Sequence, residues 1–399
     1  VRGWNKLCTL ATQHPSYYSA WIRSAEYQCL AKHMRTAHHK TSRPSYACIV
    51  FEDAQSEDSI ITTIDSIKLA FGDNTPIWTV RHKSEPDHER TFQDHRLLVD
   101  ALETIATDTN ACWLLVAKAG DTFSDVLGAA LAVEIENNPD SSIIYWDEDV
   151  SAVGNRQQPW IKPDWDELLF LAKDYLSGSC AVRCDVAIGI AKTMTPVRVE
   201  SSSLAELFLF MTLSRAPSAP HHMPLIMSHR ASTDGFVSSQ DRAKLISSIW
   251  YPPVRATSIR DTFLEIAPVE PSEWPSVTII IPTRDHADIL ATCIRSLEKL
   301  QYIGETEIII IDNGSEAHDA LKLLDELEGK AAVRVIRAPG KFNFSSLNNL
   351  AAREARGTYL CLLNNDIEAL DGNWLSTMIA HALLPDVGAV GAQLLYPDG

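Results

Sequence analysis

No Gly-x-Gly-x-x-Gly follows any apolar run in this sequence, so the fingerprint with which a dinucleotide-binding Rossmann domain approaches a pyrophosphate is missing and an NAD-dependent enzyme of that type is excluded. No apolar run approaches the roughly 20 residues of a membrane-spanning helix, the longest being short stretches such as Ile279 to Pro282 and Leu360 to Leu363. The chain opens on Val1 without an apolar h-region; there is no signal peptide to read, and the native start is expected upstream. Positive charge is scarce too. Lys and Arg number 35 against 52 Asp and Glu, a formal charge of -17, which repels phosphate backbones and argues against a nucleic-acid surface. The 8 cysteines are scattered, and only Cys180 and Cys184 lie close, at a spacing that fits no common metal or redox motif. They read as reduced core thiols of a cytosolic protein.

What is present is ordinary globular material. Hydrophobic residues make up 45 % and charged residues 22 % of 399, which excludes wholesale disorder and suggests two or three domains at roughly 100 to 200 residues each.

The organising feature is an internal repeat. Residues 47–70, with a strand at Ala47-Cys48-Ile49-Val50-Phe51 and a helix over Ile61 to Leu69, align with 277–300 at an offset of 230, placing Val50 on Ile280 and Ser66 on Ser296. A second strand, Thr75 to Val80, falls on Thr306 to Ile311. Further on the offset grows to 246: Trp113 to Ala117 meets Tyr359 to Leu363, so the second copy holds about sixteen extra residues in between. Continuous apolar strands alternating with amphipathic helices indicate a mostly parallel sheet covered on both faces, and each copy reads as an α/β domain.

This gives a helical lead-in over 1–45, a first domain over 46–250, a proline-marked linker over 251–274 and a second domain over 275–399. The first copy continues about a hundred residues beyond Asp149, whereas the second reaches the matching point near position 395, so it is expected to be only the front half of a domain. His33, His38 and His39 in the lead-in have no metal-ligand spacing and read as a solvated basic face.

Ligands of open α/β sheets bind beyond the carboxyl ends of the strands. After the first strand of copy two come Pro282-Thr283-Arg284-Asp285, and after the second Asp312-Asn313-Gly314-Ser315. A carboxylate there suits a base or ribose, and Thr283 with nearby amides suits phosphate, although Asp-Asn-Gly-Ser is also an ordinary turn. The buried strand Gly357 to Leu363 ends in Asn364-Asn365-Asp366. Oxygen side chains at i and i+2 after such a strand can both turn toward one hard cation, which would neutralise a diphosphate leaving group.

These residues, together with Ser276 to Asp285, Glu307 to Ser315, Gly340 to Ser345, Leu347-Asn348-Asn349 and Glu354 to Tyr359, resemble the nucleotide-binding half of a family 2 glycosyltransferase with the GT-A fold. The closest likeness is to the bacterial tandem-domain type of O-antigen and surface-polysaccharide biosynthesis; it covers 275–399 closely and 46–250 more loosely, through Ile143 to Asp149 and Lys162-Pro163-Asp164-Trp165. The resemblance implies two tandem Rossmann-like GT-A domains, the second incomplete. It implies that Pro282, Thr283 and Arg284 line base and ribose with Asp285 supporting the loop, that Asp312 and Asn313 bind base and ribose, and that Asn349 is the polar position before the metal strand. Asp366 would ligate Mn²⁺ or Mg²⁺, with Asn364 departing from the usual carboxylate and removing one negative charge. The donor would be a nucleotide-diphosphate sugar, the acceptor a glycan or a lipid-linked one. The reaction would be inverting, in the cytoplasm or peripherally at the inner face of the cytoplasmic membrane. The general base such an enzyme needs is expected beyond Gly399, and this stretch alone is expected not to turn over.

Copy one keeps few of these groups. Glu52-Asp53-Ala54-Gln55 stands at 282–285, Arg81 at Asp312 and Lys118-Ala119-Gly120 at Asn364-Asn365-Asp366, with Asp121 the nearest carboxylate. Cationic Lys118 repels a divalent ion, and Ser201-Ser202-Ser203-Leu204 replaces the acidic base segment. Asp147-Glu148-Asp149 offers an acceptor-side or metal site but reads more readily as a solvated turn, and His229-Arg230, which resembles a family position near the diphosphate, reads on its own as a surface pair, leaving copy one as scaffold or acceptor platform. A different class of function, a non-catalytic nucleotide-sugar-binding or assembly module, is the alternative reading.

Overall fold

The computed structural model describes residues 15–34, 44–52, 57–81, 112–152, 155–193, 218–231, 239–250, 254–260, 263–385 and 387–396. Residues 53–56 and 201–209, which carry part of the reading of copy one, lie outside them, as do His38 and His39. The chain divides into two units, 1–266 and 267–399.

Unit 1 opens with helix α1 (Pro15–Trp21), a π-type turn (Ile22–Glu26) and α2 (Tyr27–Met34). Then come β1 (Tyr46–Glu52), α3 (Glu57–Phe71), β2 (Ile77–Arg81), β3 (Trp113–Lys118), β4 (Thr122–Phe123), α4 (Leu127–Asn137), β5 (Ile143–Ala152), β6 (Asn155–Trp160), α5 (Glu167–Ala172), β7 (Cys180–Arg183), α6 (Cys184–Thr193), β8 (His221–Arg230) and α7 (Ser239–Ile249). The sheet order is β2-β1-β3-β7-β5-β8-β4, with β6 on β5. β1 runs parallel to β2 and β3, and β7 returns antiparallel between β3 and β5.

Side chains alternate across a strand, so a strand apolar at every position feeds two cores. Ala47, Ile49, Leu114 and Val116 pack with Tyr145, Phe170, Ile246 and Trp250 on one face; Cys48, Val50, Leu115 and Ala117 pack with Ile67, Leu131 and Trp146 on the other. Each Val, Leu, Ile or Phe among them, fully removed from water, contributes about 1.5–3 kcal/mol.

The segment 251–274, read from its prolines as a linker, instead carries a hairpin. β9 (Val254–Arg260) pairs β10 (Phe263–Pro268), and Val254 and Leu264 enter the first core of unit 1. Pro268 closes β10 rather than keeping the segment open, as a strand end tolerates, and the apolar anchors Val254 and Leu264 fix the pair to unit 1.

Unit 2 contains β11 (Val277–Thr283), α8 (Ala287–Leu297), β12 (Thr306–Asp312), α9 (His318–Glu328), β13 (Val333–Arg337), α10 (Phe344–Glu354), β14 (Tyr359–Leu362) and α11 (Trp374–Ala382). Its sheet is parallel throughout, in the order β13-β12-β11-β14. β11 is buried at every position. Its Val277, Ile279 and Ile281 meet Leu290, Cys293, Leu324 and Leu375 on one face, while Ile280 meets Leu347 and Ala351 of α10 on the other. Gly357 is required at the entry to β14: a Cβ there would lie 2.7 Å from Val277 C and 2.8 Å from Thr278 Oγ1.

The repeat is visible in the sheets, with one correction. β1 pairs β2 and β3 as β11 pairs β12 and β14, and the helix after the first strand covers the Cys48/Val50 face in unit 1 and the Val277/Ile279/Ile281 face in unit 2. Matching faces puts Cys48 on Ile279, an offset of 231 for the strand, whereas the following helices begin at Glu57 and Ala287, an offset of 230. The loop in unit 2 is one residue shorter, and an ungapped alignment hides that slip.

Candidate functional site

All strands of unit 2 point their carboxyl ends to one edge, where the segments 282–285, 312–315, 338–341 and 364–366 converge. Pro282 and Thr283 are buried at the end of β11, in register with Ile311 and Asp312. Asn313 N donates to the carbonyl of Thr283 (2.9 Å), and Asn365 Nδ2 donates to Thr283 Oγ1 (3.1 Å). Thr283 thus ties the ends of β12 and β14 to its own strand.

Asp285 and His286 both have left-handed backbone, φ 52 and 48, at the turn into α8. Asp285 Oδ1 accepts the backbone N–H groups of Glu316 and Ala317 (2.8 Å each), and Asp285 N donates to Ser315 Oγ (2.8 Å). Those two N–H bonds hold its carboxyl below the usual range. The carboxylate takes N–H groups before α9 that an anionic ligand would otherwise use. Arg284 next to it is half-exposed, its Nε 3.8 Å from Asp285 Oδ2.

Asp312 is 2 % exposed. Its Oδ1 accepts from Ser315 N (2.9 Å) and Ser315 Oγ (2.6 Å), and its Oδ2 from Arg337 Nη1 (3.2 Å). Asn313 Nδ2 donates to the carbonyls of Ala338 (2.9 Å) and Gly340 (3.3 Å), holding the chain beyond β13. Gly314, at φ 83, closes the turn against Pro339. Asp312, Asn313 and Asp285, assigned from sequence to ligand or loop, therefore all brace loops; the exceptions are Asp285 Oδ2, which faces Arg284 on a part-exposed side chain, and the buried Asn313 Oδ1, which finds no partner among the described residues. Ser315, Arg337 and Asn365 are the bracing partners that sequence reasoning missed; Arg337, a charge closing an apolar strand, was the one legible signal.

Asn349 is exposed on α10, whereas its neighbour Asn348 is buried and donates to the carbonyl of Phe344 (2.8 Å). Beyond β14, Asn364 and Asp366 are exposed with Asn365 half-buried between them. The Cys293 thiol points at the carbonyl of Asn364 (3.7 Å) and is pushed up to about 11, by burial first and by the charge of Asp366 second. Asp366 has no hydrogen-bond donor among the described residues.

The edge thus offers outward groups, Asp366, Asn364, Arg284 and the exposed Lys341, on a braced base. One carboxylate and one amide oxygen do not form a protein cage, and no trio of metal-ligating side chains converges among the described residues. They do fit a hard cation that takes one or two protein oxygens and completes its shell with phosphate oxygens and water.

In unit 1 the acidic run is not a solvated turn. Asp147, Glu148 and Asp149 lie in β5 at 1, 6 and 1 % exposure. Asp147 Oδ1 accepts from Lys162 N (2.8 Å) and pairs with His222 Nε2 (2.9 Å); Glu148 accepts from Lys162 Nζ (2.8 Å) and Ser179 Oγ (2.5 Å); Asp149 is bound by Arg156 Nε (2.6 Å), His229 Nδ1 (2.7 Å) and Tyr18 Oη. Burial raises the carboxyls of Glu148 and Asp149, yet the cations and hydrogen bonds around them hold both below the usual range. Nor is His229-Arg230 a surface pair: Arg230 is 8 % exposed. His33 is half-buried 3.4 Å from Glu134 rather than on a solvated face. The remote cations that neutralise these acids lie up to 82 residues away, which a local reading cannot see.

Residues 278–399 match the family described as Glycosyl transferase family 2. Two curated relatives are the uncharacterized protein y4gI of Sinorhizobium fredii, 33% identical over 285 residues (66% of this chain, 31% of the relative), and the O-antigen biosynthesis protein RfbC of Myxococcus xanthus, 29% identical over 295 residues (70% and 23%). Both likenesses run past the family match into unit 1, and the chain spans less than a third of either relative. Among solved structures, it is similar to the mannosyltransferase PcManGT from Pyrobaculum calidifontis in complex with GDP-Man and Mn²⁺ (20% identity, TM-score 0.27, 30% of this chain and 35% of that one). Another is GalNAc-T7 with UDP, GalNAc and Mn²⁺ (18%, 0.27, 35% and 26%).

Proposed function

With residues 278–399 as a glycosyl transferase family 2 domain, we propose that unit 2 is the donor side of a glycosyltransferase. It moves a sugar from a nucleotide-diphosphate sugar to a glycan or lipid-linked acceptor in surface-polysaccharide biosynthesis. The observation that carries this reading is the outward carboxylate of Asp366, beside Asn364 on a strand edge braced by the Asn365–Thr283 hydrogen bond. The O-antigen biosynthesis relative supports the pathway class.

Asp366, with Asn364 as a neutral second oxygen, would hold a divalent cation, Mn²⁺ or Mg²⁺, whose chemistry there would be to supply positive charge to a departing diphosphate. Arg284 adds a fixed positive charge near the phosphates. Asp285, Asp312 and Asn313 keep the loops in place for base and ribose rather than spending charge on them. We place the reaction in the inverting class, in the cytoplasm or at the inner face of the cytoplasmic membrane; no helix among the described residues is long and apolar enough to cross a membrane. Unit 1 serves as an accessory or acceptor platform.

Calorimetric titration of UDP-, dTDP- and GDP-sugars with Mn²⁺ tests the reading, alongside an Asp366→Ala variant. Metal-dependent binding that disappears in the variant is the expected result. Binding indifferent to both metal and Asp366 overturns the donor-site assignment and favours the second reading, a non-catalytic nucleotide-sugar-binding module, to which the single carboxylate of the donor set also lends support.

A further inference from the structure

In unit 1 the loop Lys118–Asp121 closes β3 as Asn364–Ile367 closes β14, and what fills its surroundings is a guanidinium. Asp121, 2 % exposed, has Oδ2 3.0 Å from Arg230 Nε while its Oδ1 accepts the N–H of Ala231 (3.0 Å). Glu148, from a different strand, lies 3.4 Å from Arg230 Nη1 and is also held by Lys162. Arg230 Nη1 donates in addition to the carbonyl of Ser177 (3.2 Å). Two buried carboxylates from separate elements, one of them at the loop in register with the candidate cation loop of unit 2, thus share one fixed positive centre.

A pair of buried carboxylates with no cation between them is unfavourable, since desolvation and mutual repulsion both oppose ionisation. Protonation, a metal or a protein cation relieves this; Lys162 already serves Glu148, and Arg230 is the cation that reaches both carboxylates. A guanidinium has its donors in a rigid fork, cannot leave, and stays charged at any working pH. On balance burial raises the Asp121 carboxyl, with the charge of Arg230 the largest influence opposing it.

We propose that Arg230 is a built-in cation: its guanidinium takes the place of a divalent ion between Asp121 and Glu148, so that unit 1 holds its strand-end loop without metal and excludes metal from it. Divalent-cation binding by the chain is then confined to unit 2. The analogy with the 364–367 loop rests on the donor-site reading of unit 2; the ion network of Arg230 does not.

The experiment follows Mn²⁺ by electron paramagnetic resonance in the full chain carrying Asp366→Ala, which silences unit 2. With Arg230 intact, no Mn²⁺ is expected to be ordered. Adding Arg230→Gln should create stoichiometric Mn²⁺ binding, lost again with Asp121→Asn, and Arg230→Lys should restore exclusion. Thermal melts should show Arg230→Gln destabilised without metal and shifted back upward by Mn²⁺; if it does not fold metal-free, refolding with Mn²⁺ should recover it. Absence of Mn²⁺ binding in Arg230→Gln, failure to refold with the ion, or Asp121-dependent binding with Arg230 intact overturns the proposal. If Mn²⁺ binding survives Asp366→Ala but is indifferent to Asp121→Asn, while Arg230→Gln adds one further Asp121-dependent site, the donor-site reading fails and this one stands.

Discussion

At the residue scale, the braced edge of unit 2 separates groups that position from groups that face solvent. Asp312 spends both oxygens on Ser315 and Arg337, so Asp312→Ala should release the 312–315 turn and the end of β13 together. Loss of a buried, hydrogen-bonded carboxylate of this kind costs about 1–3 kcal/mol, readable by urea unfolding; nucleotide-sugar affinity should fall while its dependence on Mn²⁺ is unchanged. Asp366→Ala should do the reverse, leaving stability within about 0.5 kcal/mol and removing the metal dependence. In unit 1 the pH response follows from two depressed carboxyls. Glu148 and Asp149 are held below their ordinary values, so their contribution is present above the unfolded range and is lost as pH falls through the folded values. Asp121 is raised and works in the opposite sense. Net acid sensitivity below about pH 4 is expected in thermal melts, and it should flatten in Glu148→Gln.

At the element scale, the equivalent strands β3 and β14 have different surroundings. Leu114 and Val116 are buried against Phe170, Ile246 and Trp250, a layer built by residues after β5. Leu360 and Leu362, their counterparts, are 47 and 55 % exposed. Leu114→Ala should therefore cost about 2–5 kcal/mol, whereas Leu360→Ser should fall within about 0.5 kcal/mol, both measured by denaturant unfolding of the full chain. Equal costs would mean that the β14 face is covered in solution. The same pair shows what an element's sequence conveys: both strands read as buried from apolar content alone, because a strand does not record which neighbours are present to cover it.

At the scale of the whole molecule, exposed apolar side chains gather in unit 2: Leu360, Leu362, Leu370, Leu394, Leu395 and Tyr396. Apolar exposure of this kind promotes association. Residues 275–399 expressed alone should be poorly soluble; a monodisperse, cooperatively melting preparation would contradict this.

The sequence alone determined the α/β class, the repeat, the polar strand ends that converge on one edge of unit 2, and the position of Asp366 among them, because those depend on periodicity and on a polar residue following an apolar run. It also carried the family resemblance of 278–399, which short contiguous motifs encode. Tertiary structure decided three things. It set the strand offset at 231 rather than 230, since a one-residue slip reverses every face of a strand. It turned Asp285, Asp312 and Asn313 inward, through partners on other loops. And it buried Asp147, Glu148 and Asp149, because the charges that make their burial tolerable, Arg156 of β6, Lys162 in the loop after it and Arg230 of β8, meet them only when the sheet closes.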